Sequence, residues 1–194
     1  DRSPSRGLGD VYKRQIDDSL RKLQLDYIDM YLIHSPEPGE ESFLQAWKGL
    51  EAAVDAGKIR TIGVSNFDVE HLDALLRNCR IKPAVNQIES HPFFAHEVLR
   101  SQTIERGIQI EAYSPMAQGA ALEREEIKAI ASKHNKTPAQ VLLRWGLQLG
   151  NIILPKSLTK HRIEANAQLF DFELDNDDMD VLNGLDEGMK MGKL

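Results

Sequence analysis

The chain has 194 residues, 41% apolar and 28% charged, with a formal net charge of −6 and one cysteine, Cys79. That is the balance of a globular domain with room for a core, and its acidity and scattered basic residues disfavour nucleic acid as a partner. A lone cysteine closes no internal disulfide and fits a reducing, cytoplasmic setting, and no apolar run approaches the ~18 residues of a membrane span, so no membrane partner is expected.

Residues 1–15 (DRSPSRGLGDVYKRQ) combine Gly, Ser, Pro and four basic residues without apolar periodicity. They read as a flexible leader. The string is similar to translated adaptor sequence, so the native fold is expected over residues 16–194. From Ile16 onward, helix-period and strand-like segments alternate. Ile16, Leu20 and Leu23 recur at helical spacing. Tyr27 to Ile33 (YIDMYLI) predicts a strand ending at His34, with Pro36 and Pro38 beyond it. Glu41 to Ala56 places Phe43, Trp47, Leu50 and Val54 on one helical face, stopped by Gly57. Ile59 to Val64 predicts a second strand. Asp68 is a helix cap before Val69, Leu72, Leu75 and Leu76.

Ala84 to Ile88 predicts a third strand, Glu97 to Arg106 a helix, and Ile108 to Tyr113 a fourth strand. Leu122 to His134 is expected to be helical. Thr137-Pro138 looks like a cap with proline in the first turn of a helix carrying Val141, Leu142, Trp145 and Leu149. Asn151 to Leu154 predicts a fifth strand. Two more helices are expected, Arg162 to Phe170 and Asp175 to Leu185. Five strand-then-helix units imply a parallel sheet with helical crossovers. No GxGxxG follows any strand, which favours a (β/α) barrel over a classical dinucleotide-binding sheet. The expected fold is therefore α/β, a (β/α)8 TIM barrel that is incomplete, with the last five β/α units plus a C-terminal helix.

Polar residues fall at the strand ends: His34, Ser65 and Asn66, Gln87, Tyr113 and Ser114, then Lys156 and Ser157. In a parallel barrel these ends share one face, where active sites lie. Taken singly, each has a plain structural reading as a strand cap, turn former, core aromatic or solvated basic face. Lys156 and Ser157 also precede a helix start, whose N–H groups and dipole suit a phosphate, and Arg162 adds a planar fork for its oxygens.

Here the chain resembles the aldo-keto reductase family. LDYIDMYLIHSP, GKIRTIGVSNF, PAVNQIESHP, EAYSP, LPKSLTKHRIEAN and FDFEL follow in that family's order and spacing, covering about Ile16 to Met191. The resemblance implies NADP(H)-dependent reduction of aldehydes or ketones to alcohols, with a small carbonyl compound as partner and no metal. It makes His34 the substrate-orienting catalytic residue, through an imidazole nitrogen that donates to the carbonyl. It assigns Ser65, Asn66 and Gln87 to the nicotinamide carboxamide, Tyr113 to stacking on the ring, and Ser114 and Met116, with Gln118 a weaker candidate, to the pyrophosphate path. Lys156, Ser157, Leu158 and Arg162 fall to the 2′-phosphate loop and Asn166 to the adenine. Two departures alter the expected contacts: Ser35 stands where the family usually has tryptophan, and Ala165 where it commonly has glutamate.

The family's proton-donating tyrosine, with its lysine and aspartate, belongs to barrel units before the region matched. The chain alone is expected to be inactive, and aggregation-prone through open strand edges. A non-catalytic cofactor-binding or scaffold relative is the alternative reading. An unrelated barrel lyase or isomerase with a phosphorylated substrate has less support, because Lys156 is its only lysine candidate and Glu89 and Glu111 do not converge by sequence.

Overall fold

The computed structural model describes residues 5–192. They form two compact units, one of residues 5–87 with Ser101–Gln109, the other of Ile88–Arg100 with residues 110–192. In chain order the elements are α1 (Ser5–Leu23), β1 (Ile28–Ile33), α2 (Glu40–Asp55), β2 (Ile59–Ser65), α3 (Val69–Asn78), β3 (Val85–Glu89), α4 (Glu97–Glu105) and β4 (Gln109–Tyr113). A 3-10 turn (Ala117–Glu123) leads into α5 (Glu125–His134), followed by α6 (Pro138–Gln148), β5 (Ile152–Leu154), α7 (Lys160–Ala167) and α8 (Asn176–Asn183). The strand order is β1-β2-β3-β4-β5. In the first unit β1 pairs parallel with β2, Ile28 opposite Ile59 and Ile33 opposite Val64, and β2 with β3, Ser65 opposite Gln87. In the second, β4 pairs parallel with β5, Tyr113 opposite Leu154. The fold is the parallel α/β architecture expected from the strand–helix alternation.

Each unit has its own core. In the first, Phe43, Trp47 and Leu50 of α2 and Leu72 and Leu75 of α3 pack with Ile59, Ile62 and Val64 of β2 and with Ile16. Two polar groups on α2 fix the loop before β3. Trp47 Nε1 donates to the Ile81 carbonyl (3.0 Å), and Glu51 Oε1 accepts from the Arg80 and Ile81 amides (2.7 and 2.8 Å). In the second, Ile127 and Ile130 of α5 meet Val141, Leu142 and Trp145 of α6 and Leu182 of α8. Trp145 Nε1 reaches Asn183 Oδ1 at 2.8 Å. Asp178 joins α8 to α5, accepting from Lys133 Nζ (2.9 Å) and facing His134 Nε2 (2.6 Å).

The caps follow from local chemistry. Asp68, Thr137 and Asp175 each accept from the backbone N–H three residues on, and the side chains of His71, Gln140 and Asp178 return the bond.

Three expectations differ from the structure. Ser5–Leu23 is one helix, so residues 5–15 are helical, while residues 1–4 lie outside the described residues. Tyr12 lies against α2, its Cβ 3.1 Å from where a Cβ on Gly49 would sit, and so continues the Ile16 and Leu20 spacing one turn upstream. The helix expected over Leu122–His134 starts only at Glu125, because Arg124 is extended and Leu122 and Glu123 belong to the preceding 3-10 turn. α7 runs Lys160–Ala167 and ends before Phe170. Among the described residues no helix is long and apolar enough to cross a membrane.

Candidate functional site

In the first unit, the end of β2 is shaped by Asn86 of β3. This buried amide accepts from the Phe67 N–H (3.4 Å) and donates to the Phe67 carbonyl (2.8 Å). The turn it holds puts Asn66 in the left-handed region at φ 61°, which asparagine tolerates better than most residues. Asn66 Nδ2 then donates to the His34 carbonyl (3.0 Å) and to Ser65 Oγ (3.0 Å). Ser65 Oγ and the Asn66 amide both donate to the Gln87 carbonyl, at 2.9 Å each. His34, Ser65, Asn66 and Gln87 are thus brought together at adjacent strand ends. His34 is exposed and Gln87 half-buried. Sequence reasoning missed Asn86, which interior β placement disguises as a core position.

In the second unit, a cavity of about 860 Å³ is lined by Ser114, Met116, Gln118, Lys156, Ser157, His161, Arg162 and Asn166, with Thr137, Pro138, Leu122 and Ala165 among its walls. Seven of the expected residues therefore meet here. Leu158, 87% exposed, is not among the lining residues. Neither is Tyr113, whose hydroxyl lies 3.5 Å from where a Cβ on Gly192 would be. Burial, helped by the Glu89 charge, pushes the Tyr113 hydroxyl pKa up from 10.0. His161 was missed, although it sits in the same basic run as Arg162.

The cavity's chemistry suits an anion with an organic body. Lys156 precedes α7 and Arg162 lies in its first turn. Ser157 Oγ accepts the Thr159 amide at 3.3 Å, shaping the approach. Thr159 makes no side-chain cap bond to α7, which leaves that helix N-terminus without the polar group that usually occupies it. The carboxylate in the lining, Glu123, is paired with Lys128 at 3.1 Å. Three other lining residues, Ser114, Gln118 and Gly119, take left-handed backbone at φ of 50°, 52° and 97°, as does the buried Ala117 between them at 48°. α7 is held from below by Gln140, whose Nε2 donates to the Ala165 and Gln168 carbonyls at 3.2 and 3.1 Å.

These two constellations lie within a sequence that matches the profile described as "Aldo/keto reductase family" over residues 9–187. The chain belongs to the aldo-keto reductase family. It is 50% identical over 174 residues to the glyoxal reductase of Bacillus subtilis, covering 90% of this chain and 62% of that relative. It is 42% identical over 177 residues to the methylglyoxal reductase DkgA of Escherichia coli, covering 90% and 64%. Among solved structures, an aldo-keto reductase from a Medee basin deep-sea metagenome library superposes with a TM-score of 0.91 at 37% identity, over 94% of this chain and 68% of that one. The chain thus spans about two thirds of the length of these aldo-keto reductases or slightly less.

Proposed function

We propose that the chain provides the nucleotide-binding part of an NADP(H)-dependent aldo-keto reductase acting on small aldehydes and ketones. Short dicarbonyls of the glyoxal and methylglyoxal type are the first substrates to try, since two relatives are named for them. The observation that carries the reading is the cavity of the second unit, where Lys156, Arg162, Ser157 and Asn166 line one space. Its donor set fits a phosphorylated nucleotide: two cations and an uncapped helix start for a 2′-phosphate, and an amide for the base.

Bound NADPH would supply the hydride. The residues of this chain would contribute binding and orientation, but not the proton that the carbonyl oxygen must gain. Ser65, Asn66 and Gln87 would hold the carboxamide, Tyr113 would stack on the ring, and Ser114 and Met116 would border the pyrophosphate. His34 would donate to the substrate carbonyl. The tyrosines of the described residues offer no proton donor of the required kind. Tyr27 lies under the Arg60 guanidinium at 3.6 Å, Tyr31 packs on the first core, Tyr12 lies against α2, and Tyr113 is displaced upward in pKa, away from proton transfer near neutrality. The chain on its own should therefore bind nucleotide without turning it over.

Calorimetric titration with NADPH and NADH tests this. NADPH should bind the more tightly. Arg162→Ala should weaken NADPH by about 10- to 100-fold, the worth of one or two charge-assisted hydrogen bonds, and should leave NADH nearly unchanged. Equal losses for the two nucleotides would overturn the 2′-phosphate role of Arg162.

A further inference from the structure

We propose that Glu89 is a latch: its buried carboxylate fastens the C-terminal strap, residues 186–192, beside Tyr113 and Gln118 at the edge of the nucleotide cavity. The proposal deepens the nucleotide-binding reading and rests on it for what the strap borders, not for the latch itself.

Glu89 ends β3 with only 2% of its surface exposed. A carboxylate so placed needs a counter-ion or a full set of donors. Its neighbour His91, 0% exposed, is the nearest candidate cation, with Nε2 3.1 Å from Glu89 Oε1. Burial holds the His91 pKa below 6.5, outweighing the pull of Glu89 and Asp186. Burial thus favours the neutral ring, which opposite a carboxylate that can only accept donates through Nε2–H. The remaining donors come from the far end of the chain. The Met191 amide donates to Oε1 at 2.7 Å and the Gly192 amide to Oε2 at 2.9 Å. Among the described residues, two of the three N–H groups that reach this carboxylate thus belong to the strap.

The rest of the strap is aligned to deliver them. The Glu187 and Met189 amides both donate to the Phe93 carbonyl (3.2 and 2.9 Å), and Asp186 Oδ2 accepts the Ala95 amide (3.3 Å). Arg124 pairs with Glu187 at 3.1 Å. Gly192 is fitted to its place by size. A Cβ there would sit 3.0 Å from Glu89 Oε2, closer than side chains comfortably approach. On the cavity side, Gln118 Nε2 donates to the Met191 carbonyl at 3.4 Å. Tyr113 and Gln118, two residues of the proposed nucleotide path, therefore share a neighbour that Glu89 holds in place.

Amide exchange followed by NMR on the nucleotide-free chain tests the latch. In the parent, the Met191 and Gly192 amides should exchange at least about tenfold more slowly than in open chain. Glu89→Gln keeps the shape but turns an N–H donor toward one of the two amides. Exchange at one or both should then rise about tenfold, with Leu142 and Leu143 of α6 unchanged. If Glu89→Gln does not fold, Gly192→Ala, made on the strap outside the core, should loosen the same two amides. Open-chain exchange in the parent, or unchanged protection in the variants, would overturn the latch. NADPH is then added to the parent: failure to bind would remove the nucleotide reading and leave the exchange result standing.

Discussion

The two units hold their candidate residues in different ways. In the first, Ser65, Asn66, Gln87 and the His34 backbone are tied to one another and, through Asn86, to the Phe67 backbone. Few of those groups have freedom left to lose when a ligand arrives. In the second, Lys156 and Arg162 are exposed, and α7 buries no side chain at all. A carboxamide asks for fixed direction, which a hydrogen-bonded network supplies. A phosphate asks for charge, which long side chains can bring from several directions and which is ordered by the ligand itself. The contrast predicts a first unit that is rigid without nucleotide and a cavity whose α7 wall tightens when nucleotide binds.

The largest effect should come from breaking the rigid side. A Cβ on Gly63 would meet Val85 Cγ2 at 2.6 Å, Leu32 Cδ2 at 2.8 Å and the Val85 carbonyl at 2.9 Å. The backbone contact leaves no cheap relaxation, so Gly63→Ala should cost about 3 kcal/mol, seen as a lower urea midpoint. An unchanged midpoint would show that the β2–β3 approach is softer than its packing implies. A smaller effect tests the cavity side. Gln140→Glu keeps an acceptor for the Thr137 amide, now at 3.0 Å, but cannot donate to the Ala165 and Gln168 carbonyls. It should loosen α7 by about 1–2 kcal/mol, lower NADPH affinity, and leave exchange at Val64 and Ser65 untouched.

The smallest effect is a pH dependence confined to the second unit. Burial pushes the Asp178 carboxyl upward, but the His134 and Lys133 hydrogen bonds outweigh it, and the net pKa lies below 3.8. A carboxylate with a depressed folded pKa stabilises the protein above its unfolded value. That contribution is lost as pH falls from 3.8 through the lower folded value. Urea midpoints should drop in this window, by the equivalent of about 1 kcal/mol or less because Lys133 is partly screened by solvent. Asp178→Asn should flatten the drop.

The elements that sequence made legible are those whose signal is local. Thr137-Pro138 and Asp68 announce helix starts because capping is settled within four residues. The apolar rhythm of Phe43, Trp47 and Leu50 places α2 because its period is its geometry. The strand-end polar residues were readable for a similar reason: alternation ends where the strand does. Tyr12 was lost because the Gly, Pro and basic content around it outweighed a spacing that Ile16 and Leu20 continue. The break at Arg124 was lost because Leu122, Ile127 and Ile130 satisfy a helical period whether or not the backbone between them is helical. Glu89 was weighed only as a catalytic carboxylate. Its partners are backbone amides 102 and 103 residues away, and backbone amides carry no side-chain signature.

The left-handed run at Ser114, Ala117, Gln118 and Gly119 has a practical consequence for redesign. An L-residue held there gives up about 1–2 kcal/mol relative to glycine, and Ala117 is fully enclosed as well, so a β-branched residue at that position has neither room nor an accessible backbone. Gln118 shares the backbone state but faces solvent. A mutant library meant to retune which ligand the protein accepts would randomise Gln118, favouring glycine and asparagine, and keep Ala117 fixed.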